Sequence, residues 1–303
     1  MNAKISEKQA QDTVYALVTS PDFMKDRRCY AAQQSGLCIS DDGGLTWQPA
    51  FGALSATAVA VSPNSRVLVG VPGAILHSSD KGKSWTTVAL PAPPPLITTL
   101  TPSSDDGMVL AGTMEDGVFL SDDGGSSWNA WNAGLLDRHI LCMALSPSFS
   151  RDGRVYVGTE TGIYGSRNHG RSWRALNFPP EFSPVLSIAL SPGFVSDGIL
   201  WVGAESQGLF HSNDYGQTWQ SCALTGSVNA IILSSQFPNM PRMLVWIDNS
   251  LLLSCDGGQE WKPLDRSPVP GRLSAIAASM GLEDGSMLLL GTQEGTITQF
   301  MLR

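Results

Sequence analysis

The chain has 303 residues, of which 42% are hydrophobic and 15% are charged, and its formal net charge at pH 7 is −8. Such a composition is typical of a soluble globular protein, and the small share of charged residues favours sheets over tandem helices. The negative balance, with a pI near 4.9, argues against a nucleic-acid-binding surface, because such surfaces neutralise phosphates with clustered Lys and Arg.

The N-terminal segment, residues 1–12, is polar and lacks the apolar stretch of a secretory signal, so we expect no such signal. No apolar run approaches the length that a membrane-spanning helix needs. The five cysteines are odd in number and none forms a Cys-x-x-Cys pair, which predicts buried thiols rather than a disulfide framework or a metal site. We therefore expect the reducing cytoplasm as the compartment.

An octapeptide of the form Ser-x-(Asp/Asn)-x-Gly-x-x-Trp recurs six times along the chain. The copies occupy residues 40–47, 78–85, 121–128, 166–173, 212–219 and 254–261. Their tryptophans are 38 to 46 residues apart, and a period of this size indicates repeated supersecondary units. The sequence therefore predicts a chain built from copies of one unit.

Each octapeptide is predicted to form a turn between two strands. A short apolar run such as residues 118–120 precedes the serine, so the serine closes a strand and the Asp or Asn accepts hydrogen bonds from N–H groups of the turn. The glycine takes a positive φ, and the tryptophan opens the next strand with its ring across the unit. The predicted structural acceptors are Asp42, Asp80, Asp123, Asn168, Asp214 and Asp256.

This octapeptide resembles the Asp-box, or BNR repeat, of sialidases, sortilin-type receptors, xyloglucanases and photosystem II stability and assembly factors. In all of these proteins the motif marks the blades of a β-propeller, and here it recurs in register over residues 13–261. The resemblance implies an all-β fold, a seven-bladed β-propeller of four-stranded antiparallel blades with Asp-box turns.

Four short strand candidates, which we name A to D, are predicted in each unit. In the fourth unit they are residues 142–146, 155–158, 163–166 and a strand that starts at Trp173. The A to B connection is itself repeated, since residues 146–153 align with residues 191–198.

The tail, residues 273–303, predicts strands A to C of a seventh unit and ends before another octapeptide. Propellers commonly close by letting the N-terminus complete the last blade. Residues 3–8, within the segment 1–10, are the candidates for that strand, and a three-stranded last blade is the alternative. Seven units account for the whole length, so we predict one domain, residues 1–303.

The antiparallel order of a blade sorts its connections between two rims. The B to C turns and the D to A connections share one rim, here called the loop rim, while the A to B connections and the Asp-boxes share the other, here called the box rim. In the propeller enzymes that the chain resembles, the Asp-boxes face away from the ligand site. We therefore expect a structural role for the Asp-box acids.

The loop rim carries the candidate binding residues. Its B to C turns hold carboxylates in five of the seven units, namely Glu115, Asp116, Glu160, Glu205, Asp248 and Glu294. Converging near the axis, these acids would form a funnel that favours a cationic partner. The alternative is that they only solvate exposed turns.

The D to A loops of the same rim are apolar and rich in proline over residues 90–95, 178–182 and 268–270. Rigid loops bearing Phe178, Phe182 and Trp131 would suit protein binding, because a preset backbone loses less entropy on docking. Simple spacing between blades is the alternative role for these loops.

We predict a non-enzymatic interaction or assembly scaffold that binds a protein or small-molecule partner, cationic in character, through the loop rim. We expect a monomer. The resemblance also permits an alternative function, a glycoside hydrolase or lyase with rim carboxylates as acid and base. Of the tyrosines that a sialidase-like nucleophile requires, only Tyr15 lies on an inner strand. No spacing suggests a zinc site, so we assign no catalytic residue, metal or cofactor.

Overall fold

The computed structural model describes residues 12–91, 95–104, 107–179, 184–264, 271–279 and 281–302. Seven antiparallel sheets follow one another along the chain, and within every sheet the strands are adjacent in chain order. Over these residues six sheets have four strands and the last has three. The predicted seven-bladed β-propeller is confirmed, and each sheet is one blade.

Each of the first four blades contains four strands. Blade 1 contains β1 (Val14–Thr19), β2 (Cys29–Gln33), β3 (Gly36–Ser40) and β4 (Gln48–Gly52). Blade 2 contains β5 (Ala58–Val61), β6 (Val67–Val71), β7 (Ala74–Ser78) and β8 (Thr86–Ala89). Blade 3 contains β9 (Ile97–Pro102), β10 (Val109–Thr113), β11 (Val118–Ser121) and β12 (Asn129–Ala130). Blade 4 contains β13 (Ile140–Leu145), β14 (Val155–Thr159), β15 (Gly162–Ser166) and β16 (Arg174–Ala175).

The remaining blades follow the same plan. Blade 5 contains β17 (Val185–Leu190), β18 (Leu200–Ala204), β19 (Gly208–Ser212) and β20 (Gln220–Ser221). Blade 6 contains β21 (Val228–Leu233), β22 (Met243–Ile247), β23 (Ser250–Ser254) and β24 (Lys262–Pro263). Blade 7 contains β25 (Leu273–Ala278), β26 (Met287–Thr292) and β27 (Ile297–Met301). Single helical turns lie in three A to B connections, namely α1 (Phe23–Asp26), α2 (Phe149–Asp152) and α3 (Phe194–Asp197). Across the described residues, no helix has the length and apolar character to cross a membrane.

The Asp-box of blade 3 shows how the octapeptide forms its turn. Asp123 Oδ1 accepts the N–H groups of Ser126 at 2.8 Å and Ser127 at 2.9 Å, and Oδ2 accepts the Ser127 hydroxyl at 2.7 Å. Ser121 Oγ donates to Asp123 Oδ1 and accepts the N–H of Gly125, whose φ is +96°. Desolvation raises the pKa of Asp123, but the hydrogen bonds from Ser127 and Ser121 outweigh it and hold the pKa at about 2. The predicted structural role of this carboxylate agrees with these contacts.

The core of the molecule is divided among the junctions between blades. Seven apolar clusters are present in the described structure, and each draws its residues from two neighbouring blades. One of them joins blade 7 to blade 1 through Val14, Leu17, Met287 and Leu289. Because every blade buries its faces against two neighbours, the ring is closed.

Glycines in strand B make room for the next blade. A Cβ on Gly158 would lie 2.5 Å from Val185 Cγ1, and one on Gly112 would lie 2.6 Å from Ile140 Cγ2. Val185 and Ile140 are the first residues of the strand A that follows. The glycine near the end of strand B therefore leaves the space that a β-branched side chain of the neighbouring blade fills.

Polar contacts also join blade 7 to blade 1. The Ser274 hydroxyl donates to the carbonyl of Val14 at 2.7 Å, and the Gln299 side-chain amide donates to the carbonyl of Gly43 at 2.7 Å. The predicted closing strand at residues 3–8 lies outside the described residues. The contacts of blade 7 with blade 1 close the ring within the part that is described.

Candidate functional site

The loop rim is held together by hydrogen bonds between its two kinds of connection. The N–H of Met114 donates to the carbonyl of Leu96 at 3.0 Å, and the N–H of Gly117 donates to the carbonyl of Arg138 at 3.1 Å. The B to C turn of blade 3 thus lies between the D to A connection that precedes the blade and the one that follows it. These three segments form one continuous surface.

The predicted rim acids divide into two groups. The side chains of Glu115, Glu160 and Glu205 are exposed, and Asp116 is partly buried. Two others accept hydrogen bonds from the backbone of their own blades. Asp248 Oδ1 accepts the N–H of Ser227 at 3.0 Å, and Glu294 Oε2 accepts the N–H of Arg272 at 3.2 Å. Asp248 and Glu294 therefore have a structural role in their turns, which the sequence analysis did not consider.

A buried carboxylate that the sequence analysis missed links two segments of the rim. Asp137 Oδ2 accepts the N–H of Thr161 at 2.8 Å and its hydroxyl at 2.7 Å, and Oδ1 accepts the N–H of His139 at 3.0 Å. Burial raises the pKa of Asp137, but these hydrogen bonds outweigh it and hold the pKa at about 2. Asp12 binds Ser35 in the same way in blade 1. A carboxylate one to three residues before strand A is the signal that could have predicted this link.

His139 brings two of the predicted acids into one neighbourhood. Its Nδ1 lies 3.1 Å from Asp137 Oδ1, and this contact raises the pKa of His139. The charges of Glu160 and Glu115 raise it further, so carboxylates from blades 3 and 4 act on the same imidazole. Of the predicted rim acids, Glu115 and Glu160 thus come near each other, at the junction of these two blades.

Two of the three aromatic residues predicted for the loop rim, Phe178 and Trp131, pack against core clusters. Phe178 is only 5% exposed, and its ring lies edge-on to Phe210 and Trp219 at 5.1 and 5.0 Å. This corrects the prediction that Phe178 forms a binding surface: the ring gains more by joining the core between blades 4 and 5. Trp131 is partly buried beneath the Arg171 guanidinium, 5.4 Å from its ring centre. Phe182 and residues 92–94, 180–181 and 268–270 lie outside the described residues.

Exposed apolar side chains lie on the same surface as the acids, and the sequence analysis did not select them. Leu136 is 88% exposed, Leu96 is 42% exposed and Met114 is 36% exposed. The hydrogen bonds of the Met114–Gly117 turn place Leu96 and Met114 beside Glu115, and Leu136 lies in the D to A connection that bonds to the same turn through Arg138. We call the surface formed by Leu96, Met114, Glu115, Leu136 and Glu160 the blade 3 patch.

Nucleophilic and metal chemistry finds little support in the described residues. Burial raises the pKa of the Cys29 and Cys142 thiols to about 12, so both are protonated at neutral pH. Cys255 is exposed, which corrects the expectation that all five thiols are buried. No group of three or more His, Cys, Asp or Glu side chains in the described ranges is arranged to hold a metal ion.

Comparison with known proteins relates both the sequence and the fold to other propellers. The family model described as "Photosynthesis system II assembly factor YCF48" matches residues 8–137. The "Photosystem II assembly lipoprotein Ycf48" of Synechococcus sp. (strain CC9902) is 32% identical over 101 residues, which cover 30% of this chain and 29% of that protein. The match therefore spans less than a third of that relative's length.

Solved structures match nearly the whole chain. The GH74 xyloglucanase of Xanthomonas campestris has a TM-score of 0.76 at 19% identity, over 95% of this chain and 52% of the enzyme. A structure described as "YCF48 bound to D1 peptide" has a TM-score of 0.73 at 18% identity, over 97% of this chain and 95% of that one. YCF48 from Cyanidioschyzon merolae has a TM-score of 0.73 at 16% identity, with 97% and 96% covered.

At these identities the solved structures establish the fold, and the Asp-box turns establish the kind of repeat that builds it. The six octapeptides, the seven blades and the family-model match agree with one another. The chain is therefore a seven-bladed β-propeller with Asp-box, or BNR-repeat, turns, similar to photosystem II assembly factors of the YCF48 type and to xyloglucanase-type propellers.

Proposed function

We propose that this propeller is a non-enzymatic scaffold that binds a segment of a partner protein through the blade 3 patch. The observation that carries the proposal is the exposure of Leu136, Leu96 and Met114 on one continuous surface beside carboxylates. Apolar side chains grouped on a surface with a polar surround are typical of sites that bind other proteins. None of these three side chains belongs to the core clusters of the neighbouring blades in the described structure.

The charges of the patch indicate the chemistry of the partner. Glu115 and Glu160 are exposed and both raise the pKa of His139, and Arg138, which precedes His139 in the chain, is exposed as well. A segment that presents Lys or Arg next to an apolar side chain would pair with the carboxylates and cover Leu136. The propeller YCF48 has been solved with the D1 peptide bound, which supports peptide binding as a role for this chain.

The alternative function, a glycoside hydrolase, is supported only by the likeness of fold to the xyloglucanase. The two sequences are 19% identical, which is too low to carry a function from one protein to the other. Two of the six predicted rim acids, Asp248 and Glu294, are engaged by backbone N–H groups. No contact in the described rim pairs two carboxylates across a cleft. The scaffold role is therefore the function that the geometry supports best.

The proposal is tested with an array of immobilised peptides in which Lys or Arg content and Leu or Phe content vary independently. We expect the chain to retain peptides that contain both, and retention to fall as salt rises, because exposed charges are screened. Leu136→Ser should weaken retention about tenfold, the loss expected for one buried leucine contact. Glu115→Gln combined with Glu160→Gln should remove most of the salt dependence.

Two matched variants are the controls. Leu45 is 71% exposed on the box rim, so Leu45→Ser should leave retention unchanged, and Glu205→Gln should do the same on blade 5. Equal losses in Leu45→Ser and Leu136→Ser would contradict the proposed surface. Release of reducing sugar from xyloglucan that is abolished by a single Glu→Gln change would instead favour the hydrolase.

A further inference from the structure

A groove on the box rim, remote from the blade 3 patch, has an unusual charge. It is a cavity of about 430 Å³ between the outer strands of blade 4 and the Asp-box of blade 5. Its charged lining residues are Arg167 and Arg174, and Tyr156 and Tyr215 also line it. No carboxylate lines it, although the chain as a whole has a net charge of −8.

The repeat provides an internal comparison, because the equivalent groove exists between blades 1 and 2. That groove is lined by Arg28, Asp41 and Lys81, among others. Arg28 Nε donates to Asp41 Oδ1, and Arg28 Nη1 donates to the carbonyl of Lys81 at 3.1 Å. In the octapeptide alignment Asp41 corresponds to Arg167, and in strand B Arg28 corresponds to Arg154. Blade 4 therefore keeps the inner arginine and replaces its carboxylate with a second cation.

Arginines at this strand B position normally have acceptors. Arg66 Nη1 donates to the carbonyl of Gly124 at 2.6 Å, and Arg242 Nη1 donates to Asp284 Oδ1 at 2.7 Å. Arg154 Nη1 is buried and has no hydrogen-bond partner in the described structure. The Arg154 guanidinium lies over the Tyr215 ring at 4.1 Å from its centre. A buried guanidinium N–H without an acceptor is unfavourable. Arg154 itself does not line the groove of blade 4, whereas Arg28 lines that of blade 1, so the guanidinium groups that a ligand in this groove would meet are those of Arg167 and Arg174.

The Asp-box of blade 4 also lacks its usual charge. Five of the six boxes have Asp at the third position, whereas this box has Asn168. The amide keeps the turn, because Asn168 Oδ1 accepts the N–H of Ser172 at 3.0 Å and its Nδ2 donates to the Ser172 hydroxyl at 2.9 Å. The exchange therefore removes a negative charge from the groove and leaves the fold of the turn in place.

We propose that this groove binds an anionic group, a carboxylate or a phosphate, beside Arg167 and Arg174, in place of the carboxylate that Asp41 supplies to the groove of blade 1. Arg167 and Arg174 flank the anion at the mouth of the groove, and charge-assisted hydrogen bonds from guanidinium groups are among the strongest that proteins form. Burial raises the pKa of Tyr156, while Arg154 and Arg167 both oppose the rise, which agrees with two cations close to this phenol.

The experiment measures the melting temperature of the full chain in citrate and in inorganic phosphate, each compared with NaCl at equal ionic strength. A ligand that binds only the native state raises the melting temperature. We expect both anions to stabilise the wild-type chain more than NaCl does. Arg167→Asp should lose this extra stabilisation, and without added anion it should melt above the wild type, because the new carboxylate restores the arrangement of blade 1.

A second groove variant and a control variant distinguish binding in the groove from a general effect of charge. Arg174→Gln should weaken citrate binding about tenfold without raising the initial melting temperature. Arg151 is exposed on the same blade and does not line the groove, so Arg151→Asp makes the same charge change and should keep the anion effect. An equal loss in Arg151→Asp would reveal a general charge effect and overturn the proposal.

Two further outcomes would overturn it: anions that stabilise the wild type no more than NaCl, and an anion effect that survives both Arg167→Asp and Arg174→Gln. The source of the anion is addressed with a capped hexaglutamate peptide in the same assay. Stronger stabilisation by the peptide than by phosphate supports an acidic protein segment as the ligand, and the reverse order supports a small phosphate-bearing molecule. Either order supports the groove as an anion site.

Discussion

The acceptor residue of the Asp-box acts through the geometry of its oxygen atoms more than through its charge. Asp123 accepts two N–H groups and two hydroxyl groups within one turn. Asn168 forms the same kind of turn with a neutral side chain that donates where the carboxylate would accept. The turn therefore requires a side-chain oxygen at this position, and it does not require that the side chain be ionised.

Substitution of Asp123 tests this distinction. Asp123→Ala removes the carboxylate acceptor of the turn and should lower the free energy of unfolding by about 1–2 kcal/mol, since N–H groups that lose a partner regain only part of their solvation. Asp123→Asn keeps Oδ1 and should cost less than half as much. Urea denaturation of the two variants measures both values. Equal losses would mean that the charge, and not the oxygen geometry, maintains the turn.

Gly158 is a residue whose absent side chain determines the packing of two blades. A Cβ there would lie 2.5 Å from Val185 Cγ1 and 2.6 Å from Cys142 Sγ. Gly158→Ala should therefore force blades 4 and 5 apart locally and cost about 1–3 kcal/mol, the usual range for overpacking. Differential scanning calorimetry measures the change.

Gly52 is the matched control for that prediction. It ends strand β4 at the surface, and a Cβ on it would meet nothing nearer than the carbonyl of Ser35 at 3.7 Å. Gly52→Ala should leave the melting temperature unchanged or raise it slightly, because alanine reduces the entropy of the unfolded chain. A comparable fall in melting temperature in both variants would contradict the role of Gly158 in making room for Val185.

At the scale of the element, the single helical turns show why the A to B connection is repeated. In the connection that contains α2, Ser146 Oγ donates to Asp152 Oδ2 at 2.7 Å and Asp152 Oδ1 accepts the N–H of Arg154 at 2.9 Å. Phe149 is fully buried and Gly153 adopts φ of +58°. The same residue types recur from Ser191 to Gly198, so one local solution serves more than one blade.

Repetition also explains which features the sequence could predict. The octapeptide predicted six blades, the turn acceptors and the ends of strand C, because each was visible in several copies, and the repeated strand pattern of residues 273–303 predicted the seventh blade. Asp137 was missed because the carboxylates that precede strand A lie at different distances from the octapeptides, so no repeated spacing marks them. Phe178 was placed wrongly because its loop is proline-rich, and proline content does not reveal that a ring returns to the core. The groove at Arg167 and Arg174 required contacts between blades, which no single repeat contains.

At the scale of the whole molecule, the two rims present different chemistry. The loop rim carries exposed carboxylates and the apolar side chains of the blade 3 patch. On the box rim of blade 4, residues 151–174 contain five arginines, and none of them forms an ion pair in the described structure. The ring thus separates the surface that we propose for basic segments from the groove that we propose for anions, so the two proposals can be tested independently of each other.

The closure of the ring gives the last prediction, because blade 7 meets blade 1 without the D to A connection that joins other neighbours. Ser274 Oγ donates to the carbonyl of Val14 at 2.7 Å. Thr98 is its equivalent in blade 3, and it donates to the carbonyl of Ile140 at 2.7 Å across a junction that the chain also spans covalently. Ser274→Ala and Thr98→Val each remove one such hydrogen bond, worth about 1 kcal/mol.

We expect the two variants to differ in where they loosen the molecule rather than in total stability. Ser274→Ala should speed amide hydrogen exchange roughly fivefold in β1, β25 and β26, because the closing junction can open as a unit without unfolding the other blades. Thr98→Val should leave those amides unchanged, since the connection from blade 3 to blade 4 holds its junction together. Hydrogen exchange read by mass spectrometry resolves the strands. Equal acceleration at both junctions would show that the covalent connection contributes nothing, and exchange unchanged in both would show that the apolar cluster around Val14 and Leu289 alone closes the ring.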